Sequence, residues 1–490
     1  MFEDLSSSPL AVVAAVAVVL CSLVALLLRR ARASYPSWDT ISDDTLKVGG
    51  SKKKLEEFAS KGPIDYIIIG SGLGGLTCAS LLAKVGYRVL VLEQHDVAGG
   101  ATHTFSEQGF TWDVGVHYCG ERLASRWSPV RRLFDAASDG KLEWSACHQD
   151  YDHAVNVKTG EDIPMNRDPA RKLERLRAAF PDVPPAAWGR YRRACRVAQL
   201  MSGGAFVAMK VLPRWLLRLL GPPLLFPLYS WAAGRSAKEV MANCGLSPDA
   251  IGGASYLYGD YGLPPGEVPF LVQALLETHY DGGGYFPRGG SGSIAKTIVA
   301  AIVRRGGAVM VRAPVSEVTV TNRNGGAGNR ATGVVCRGVA LAARHGVVSN
   351  AGAFNTYERL LPPAVAAPAL DALKATPGAF EPSVQLLYLF VGLDGSDEEL
   401  KLPGANFWLL HGWDHDANWK LFNQADSYED LGFLPAVFLS FGSAKDDHHA
   451  TVAANKQKAT LQLLAPVRFE WFDGVAKKGS KIKHRGAACT

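Results

Sequence analysis

The sequence predicts an α/β chain: a parallel strand–helix–strand unit near the start, interleaved with a second, mixed-sheet domain and preceded by an apolar anchor segment. Three observations predict it. A β-branched run, Ile67-Ile68-Ile69, stops at glycines spaced G-x-G-x-x-G (Gly70, Gly72 and Gly75, with Gly74 between the last two). Helical spacing follows through Leu76, Ala79, Leu82 and Ala83 until Gly86 ends it. A second apolar run, Val89 to Leu92, closes on Glu93.

Each residue type in this unit has a physical task. Gly70 permits the tight turn, Gly72 lets the backbone approach a pyrophosphate, and Gly75 lets helix and strand pack closely. Unpaired N–H groups at the helix start, together with the helix dipole, favour phosphate. Glu93 lies about 20 residues on, where a carboxylate accepts hydrogen bonds from a ribose hydroxyl. A lone G-x-G-x-x-G is weak evidence; flanked by both strands, the helix and the acid, it predicts a Rossmann-like dinucleotide site. A carboxylate at 93 would repel a 2′-phosphate, which argues against NADP as the ligand here.

The continuation points to the flavin nucleotide. Ala98-Gly99-Gly100-Ala101-Thr102-His103-Thr104-Phe105 makes a second glycine turn soon after the acid, so the chain can double back along the ligand. This arrangement resembles flavoproteins that hold an extended FAD. Three longer segments, AGGATHTF at 98–105, WDVGVHYCGE at 112–121 and the 285–318 stretch opening YFPRGGSGSIAKT, make the resemblance specific, and VVSNAGAFNTYERLLP at 347–362 adds to it. They are similar to the retinol saturase branch of the carotenoid desaturase and isomerase flavoproteins, from about residue 60 to about residue 486. The resemblance implies an FAD-binding domain of the two-dinucleotide-binding type and a retinoid or carotenoid-like lipid substrate. It implies saturation of one C=C bond, with isomerisation or desaturation of a carotenoid as the alternative. NAD or NADP enters only as a candidate electron donor. Cofactor contacts are expected from Gly70, Gly72, Gly74, Gly75, Glu93, Gly99, Gly100 and Ala101, and from a backbone group near Val315 beneath the adenine.

At 490 residues the chain exceeds one compact core, and 51 glycines suit an α/β protein with many tight turns. The net charge of +6 is not gathered into a stripe, which argues against nucleic acid as a partner. Eight cysteines are scattered without C-x-x-C spacing, indicating neither a zinc site nor a disulfide framework. There is no N-x-[ST] acceptor. Leu10 to Leu28 carries no charge and would span ~28 Å as a helix, close to a bilayer core. Acidic residues precede it, and Arg29, Arg30 and Arg32 follow, so residues 9–28 are expected to anchor the chain with its body in the cytosol. An endoplasmic-reticulum membrane is the expected setting. A cleaved secretory signal is the alternative.

Residues 29–62 read as a linker, 63–120 as the first part of the FAD domain and 121–280 as the first part of a substrate domain facing the membrane. Within the latter, Phe206 to Leu220 is apolar except for Lys210, Arg214 and Arg218 at spacing four. It predicts one helix with a basic face, either a core helix with a solvated edge or an element lying in a membrane surface. Residues 281–355 return to the cofactor, with a helix through Ile294, Ile298 and Ile302 and a strand at Ala308–Val311. Residues 356–472 supply aromatic-rich strands over the flavin, and 473–490 form a basic tail.

A flavin reductase asks the protein to position an alkene, exclude water and supply a proton. Candidate catalytic residues by motif position are His117, Tyr118 and Asp113; the bland readings are a core histidine for the first and a turn or cap for the last. Tyr258 and Tyr261 fit packing better. Asp446-Asp447-His448-His449 is expected to be a solvated loop, since adjacent ligands cannot all converge on one ion. No metal site is expected. The flavoprotein pattern continues with a further glycine-containing strand and helix that this chain lacks after Phe472. A C-terminally truncated form with weakened flavin binding is therefore expected, and a non-catalytic lipid-binding protein is the rival reading.

Overall fold

The computed structural model describes residues 41–322, 329–375 and 384–472. The anchor segment at 9–28 and the tail at 473–490 lie outside the described residues. In chain order the first half supplies α1 (Lys52–Ser60), β1 (Ile64–Ile69), α2 (Leu73–Lys84), β2 (Val89–Leu92), β3 (Thr104–Glu107) and β4 (Phe110–Asp113). Then come β5 (Trp144–Ala146), β6 (Asp150–Asn156), β7 (Glu161–Asn166), α3 (Pro185–Val211), α4 (Arg214–Leu225), α5 (Tyr258–Tyr261) and α6 (Phe270–His279). The second half supplies β8 (Tyr285–Pro287), α7 (Gly292–Arg304), β9 (Ala308–Met310), β10 (Val315–Asn322), β11 (Asn329–Cys336) and β12 (Val339–Ser349). It ends with β13 (Gln385–Asp394), β14 (Asn406–Leu410), β15 (Ala436–Ser440) and β16 (Lys458–Val467).

The first sheet has strand order β10-β11-β12-β1-β2-β9. β1 lies parallel to both β2 and β12, with Ile67 opposite Leu90 on one side and Val347 on the other. Alternate side chains of β1 face opposite ways. Ile68 joins Leu76 and Ala79 of α2 and Ile294, Ile298 and Ile302 of α7 on one face. Ile67 and Ile69 join Leu55, Leu341 and Leu360 on the other. Burial on both faces is why β1 reads as an unbroken apolar run rather than an alternating one. β12 changes partners along its length, antiparallel to β11 over Val339–Ala342 and then parallel to β1.

The second sheet has order β13-β16-β15-β14-β6-β7, and only β6 with β14 is parallel. Its strands come from both the 121–280 and the 356–472 stretches, so the two passages of the second domain close one sheet. Its core contains Trp188, Tyr191, Tyr256, Phe270 and Trp408.

Two expectations are corrected here. Part of the 29–62 linker is structured: α1 is capped by the Ser51 hydroxyl, which accepts from the Lys54 N–H, and Leu55 is buried against the first sheet. A serine followed by apolar residues at helical spacing is a capping signal, and it outweighs the polar composition. The single helix across 206–220 is instead two. α3 ends at Val211, Leu212 is extended (ψ 144°) and α4 begins at Arg214. Pro213 is the cause, since proline excludes helical geometry from the residue before it. Among the described residues no helix is long and apolar enough to cross a membrane.

Candidate functional site

The glycine turn between β1 and α2 is built for close backbone approach. Gly70 has φ +91°, which L side chains rarely adopt. A Cβ on Gly75 would stand 2.2 Å from the Gly70 carbonyl oxygen, so strand end and helix start touch without a side chain between them. The N–H groups of Gly72, Leu73 and Gly74 have no partner among the described residues, as expected at a helix start.

Glu93 organises this turn from below. It is buried; Oε2 accepts from the Ser71 N–H (2.8 Å) and hydroxyl (2.7 Å), and Oε1 accepts from the His95 N–H (2.8 Å). Three of the four lone-pair directions are thus taken, and Oε1 keeps one for a ribose hydroxyl. The Ser71 hydroxyl also accepts from the Gly99 N–H (3.1 Å), tying the second glycine turn to the first. Gly100 (φ +55°) lies so close that a Cβ there would meet the Gly72 Cα at 2.9 Å. A Cβ on Gly115 would in turn meet the Ala101 oxygen at 3.2 Å. Gly72, Gly100, Ala101 and Gly115 thus form a continuous line of backbone. Ala313, just before Val315, donates its N–H to the Glu93 carbonyl (2.7 Å), which brings the start of β10 beside the acid.

That line leads to a cavity of about 280 Å³. One wall is Gly115 to Cys119; Trp408, Trp419, Phe438 and Leu464 supply most of the rest, with Tyr258 and Asp260 from α5. His117 and Tyr118 are therefore brought to the cavity. The His117 ring faces the Gln462 side chain, and burial, then the Lys445 charge, pulls its imidazolium down to about 3, so the ring is neutral at physiological pH. The Tyr118 hydroxyl donates to Asp152 Oδ2 (3.0 Å), as does that of Tyr256 (3.0 Å). Asn406 donates from Nδ2 to Asp152 Oδ1 (3.0 Å) and accepts from Lys445 Nζ at Oδ1 (2.8 Å). Lys445 also donates to the Ser440 hydroxyl (2.6 Å) and the His117 carbonyl. Burial raises Asp152 to about 6, and burial lowers Lys445 to about 8. Near pH 7 an ion pair bridged by an amide therefore underlies the cavity wall.

Asp113 is placed elsewhere. It ends β4, and its Oδ1 accepts from the Ser291 N–H (2.7 Å) at the start of α7. It lines a larger cleft of about 930 Å³, which shares no lining residue with the glycine turn or Glu93. The structure thus gathers His117 and Tyr118 but not Asp113, whose contact is that of a cap. The expected solvated loop at 446–449 is instead fastened. Asp446 is buried, accepting from the Gly289 and His448 N–H groups (both 3.0 Å), and Asp447 accepts from the Ser145 hydroxyl (2.7 Å). Among the described residues no group of three or more His, Cys, Asp or Glu could hold a metal ion. Tyr261 donates to Gln273 Oε1 (2.6 Å), a packing role. Sequence reasoning passed over Ser71, Asp260, Asn350, Asn406 and Lys445. Ser71 lies within the glycine motif, Asp260 between Tyr258 and Tyr261, and Asn350, whose side chain abuts Gly72 and Gly74, within the 347–362 segment; Asn406 and Lys445 lie in no motif.

A dinucleotide cradle running on into an apolar cavity beneath a second, mixed sheet defines a two-domain Rossmann-type oxidoreductase. Residues 68–136 match the NAD(P)-binding Rossmann-like domain family. An oxidoreductase structure from Methanosarcina mazei shares the fold, with a TM-score of 0.54 at 18% identity over 84% of this chain and 82% of that one. The all-trans-retinol 13,14-reductase of Danio rerio is 34% identical over 96% of this chain and 78% of its own length. A lycopene-forming phytoene desaturase of Pseudescherichia vulneris is 26% identical over 60% of this chain and 57% of its own. The chain belongs to the all-trans-retinol 13,14-reductase family of FAD-dependent oxidoreductases, within the carotenoid desaturase superfamily.

Proposed function

We propose that this chain binds FAD and saturates one C=C bond of a retinoid or related polyene lipid. The observation that carries the reading is the unbroken backbone line Gly72–Gly100–Ala101–Gly115, which joins the dinucleotide cradle to an aromatic, apolar cavity. The unpaired N–H groups of residues 72–74 would hold the pyrophosphate and Glu93 a ribose hydroxyl. FAD, when bound, supplies hydride chemistry at its ring. The chain's own share is exclusion of water by Trp408, Trp419, Phe438 and Leu464, with Lys445 fixing the His117 carbonyl and Asp152 the Tyr118 hydroxyl. His117, neutral, presents one ring N–H and one bare ring nitrogen at the cavity wall, which suits it to orient a polar group rather than to carry a proton.

A membrane setting belongs to the same proposal. Phe206, Val207 and Val211 at the end of α3 and Trp215, Leu219 and Leu224 of α4 are exposed, with Trp215 66% and Leu219 72% accessible. Lys210, Arg214 and Arg218 lie among them, the combination that favours an anionic lipid surface. Incubating the purified full chain with FAD, a chemical reductant and all-trans-retinol should yield a product two hydrogens heavier by mass spectrometry. No such product from protein shown by its absorbance near 450 nm to carry flavin would overturn the reaction assigned. Co-sedimentation with anionic vesicles should fall sharply in the Trp215→Asp/Leu219→Asp variant, and unchanged sedimentation would remove the surface from the proposal.

A further inference from the structure

The second sheet is apolar on both faces. Along β6, β14, β15 and β16 fully buried residues alternate with partly exposed ones. The buried set, with Trp408, Phe438 and Leu464, packs into the core of the second domain. The other set lies in register across all six strands as the row Leu389, Leu463, Leu439, Phe407, His153 and Pro164. At the β13 margin Leu389 is 57% and its neighbour Leu387 52% exposed. None of this row joins a buried apolar cluster among the described residues.

A sheet whose outer face meets water alternates apolar residues inward with polar ones outward. This outer face keeps the alternation of burial but not that of polarity, and a contiguous apolar patch of this kind marks a surface that associates.

Charge and size select the occupant. The outward residues of the six strands include no lysine or arginine, and their one carboxylate, Asp162, holds Oδ2 2.9 Å from His153 Nδ1 on the same face. Two copies related by a two-fold axis present the same patch to each other, so any net charge on it would meet its like. A face this poor in charge escapes that repulsion. An anionic lipid surface asks for cations instead, and those stand beside Trp215 and Leu219 on α4. As for size, strands of up to ten residues at ~3.4 Å rise, six abreast at ~4.8 Å, give a face of up to roughly 34 by 24 Å. That is on the scale of the ~800 Å² per partner that stable association buries.

We infer that the outward face of the second sheet docks a second copy of this chain, sheet against sheet about a two-fold axis. β13 gives the contact a consequence for the cavity. Its Leu386 lines the cavity while Leu387 and Leu389 point to the other face, so a partner seated there backs the cavity wall.

The test is the mass of the purified full chain by light scattering after size exclusion, with the detergent's share subtracted. Wild type should show twice the 52.5 kDa of one chain. Leu439→Lys, at the middle of the row, should weaken self-association roughly a hundredfold and halve that mass, because each dimer would bury two unpaired cations. Leu389→Lys, at a margin where a single chain leaves the side chain mostly exposed, should weaken it roughly tenfold; an unchanged circular dichroism spectrum there guards against a folding artefact. Trp215→Asp/Leu219→Asp should remain a dimer. A wild-type mass of one chain would overturn the proposal. So would a dimer that survives both lysine variants, which places the contact elsewhere, or one that dissociates in the α4 variant, which assigns it to the lipid-facing surface. Monomeric wild type whose binding to anionic vesicles is lost in Leu389→Lys would give the face to lipid instead.

Discussion

The cradle and the cavity are built in opposite ways. The cradle is a backbone device: its working parts are glycines that keep Cβ atoms out of the way, and nearly all lie within residues 70–115. The cavity is a side-chain device, assembled from α5, β13, β14, β15 and β16 and from the strip 115–119 that links it to the cradle. A backbone device fails when something is added to it. A side-chain device fails when a partner is taken away.

That difference sets the order of expected effects. The largest belongs to the cavity: Lys445→Met removes the cation shared by Asn406, Ser440 and the His117 carbonyl, and leaves these buried acceptors without their donor. Leaving buried polar groups unsatisfied costs about 1–3 kcal/mol each, read as a lowered denaturant midpoint. Adding Asp152→Asn to that variant should recover part of the loss, because the two groups are coupled through Asn406. A loss under about 1 kcal/mol for Lys445→Met would show that the relay does not hold the wall. Next comes the cradle: Gly75→Ala sets a methyl 2.2 Å from the Gly70 oxygen, a contact that must open the turn. Overpacking of this kind costs about 1–3 kcal/mol, and bound flavin absorbance should fall further than stability does. Flavin retained at the wild-type level would mean that the turn relaxes without losing its ligand.

How much the sequence reveals follows the same division. Gly70, Gly72, Gly75 and Glu93 are legible because strand, turn, helix and strand follow each other within thirty residues, and local geometry dictates residue type. The Ser71 link to Gly99 is half legible, since both glycine turns stand out but nothing local states that a hydroxyl joins them. Lys445 is not legible at all. It lies beside Asn406 and beneath His117, 328 positions away, only because β14, β15 and β16 close one sheet with β6. The same distance hides Asp113, which looks catalytic from its place in WDVGVHY and proves to cap a helix 178 residues later. Pro213 is the reverse case: a local signal, readable in principle, that a basic periodicity running across it obscures.

The smallest effect is the most selective. Asp260 and Asp152 have folded-state values above the ordinary carboxylate range, so the native state binds more protons than the unfolded chain above about pH 4. Their contribution to stability is complete below that pH and is lost as pH rises, through about 6 for Asp152 and about 8 for Asp260. His117 and His415, lowered by burial to about 3 and about 4, act oppositely, and their contribution grows with pH up to the ordinary histidine value near 6.5. Lys445, lowered to about 8, adds stability only above that. Of these five groups, Asp260 therefore dominates the interval from about 6.5 to 8. The melting temperature of wild type should decline across it, and that of Asp260→Asn should decline less, the two curves separating as pH approaches 8. Parallel curves would mean that the Asp260 carboxyl is already ionised at neutral pH.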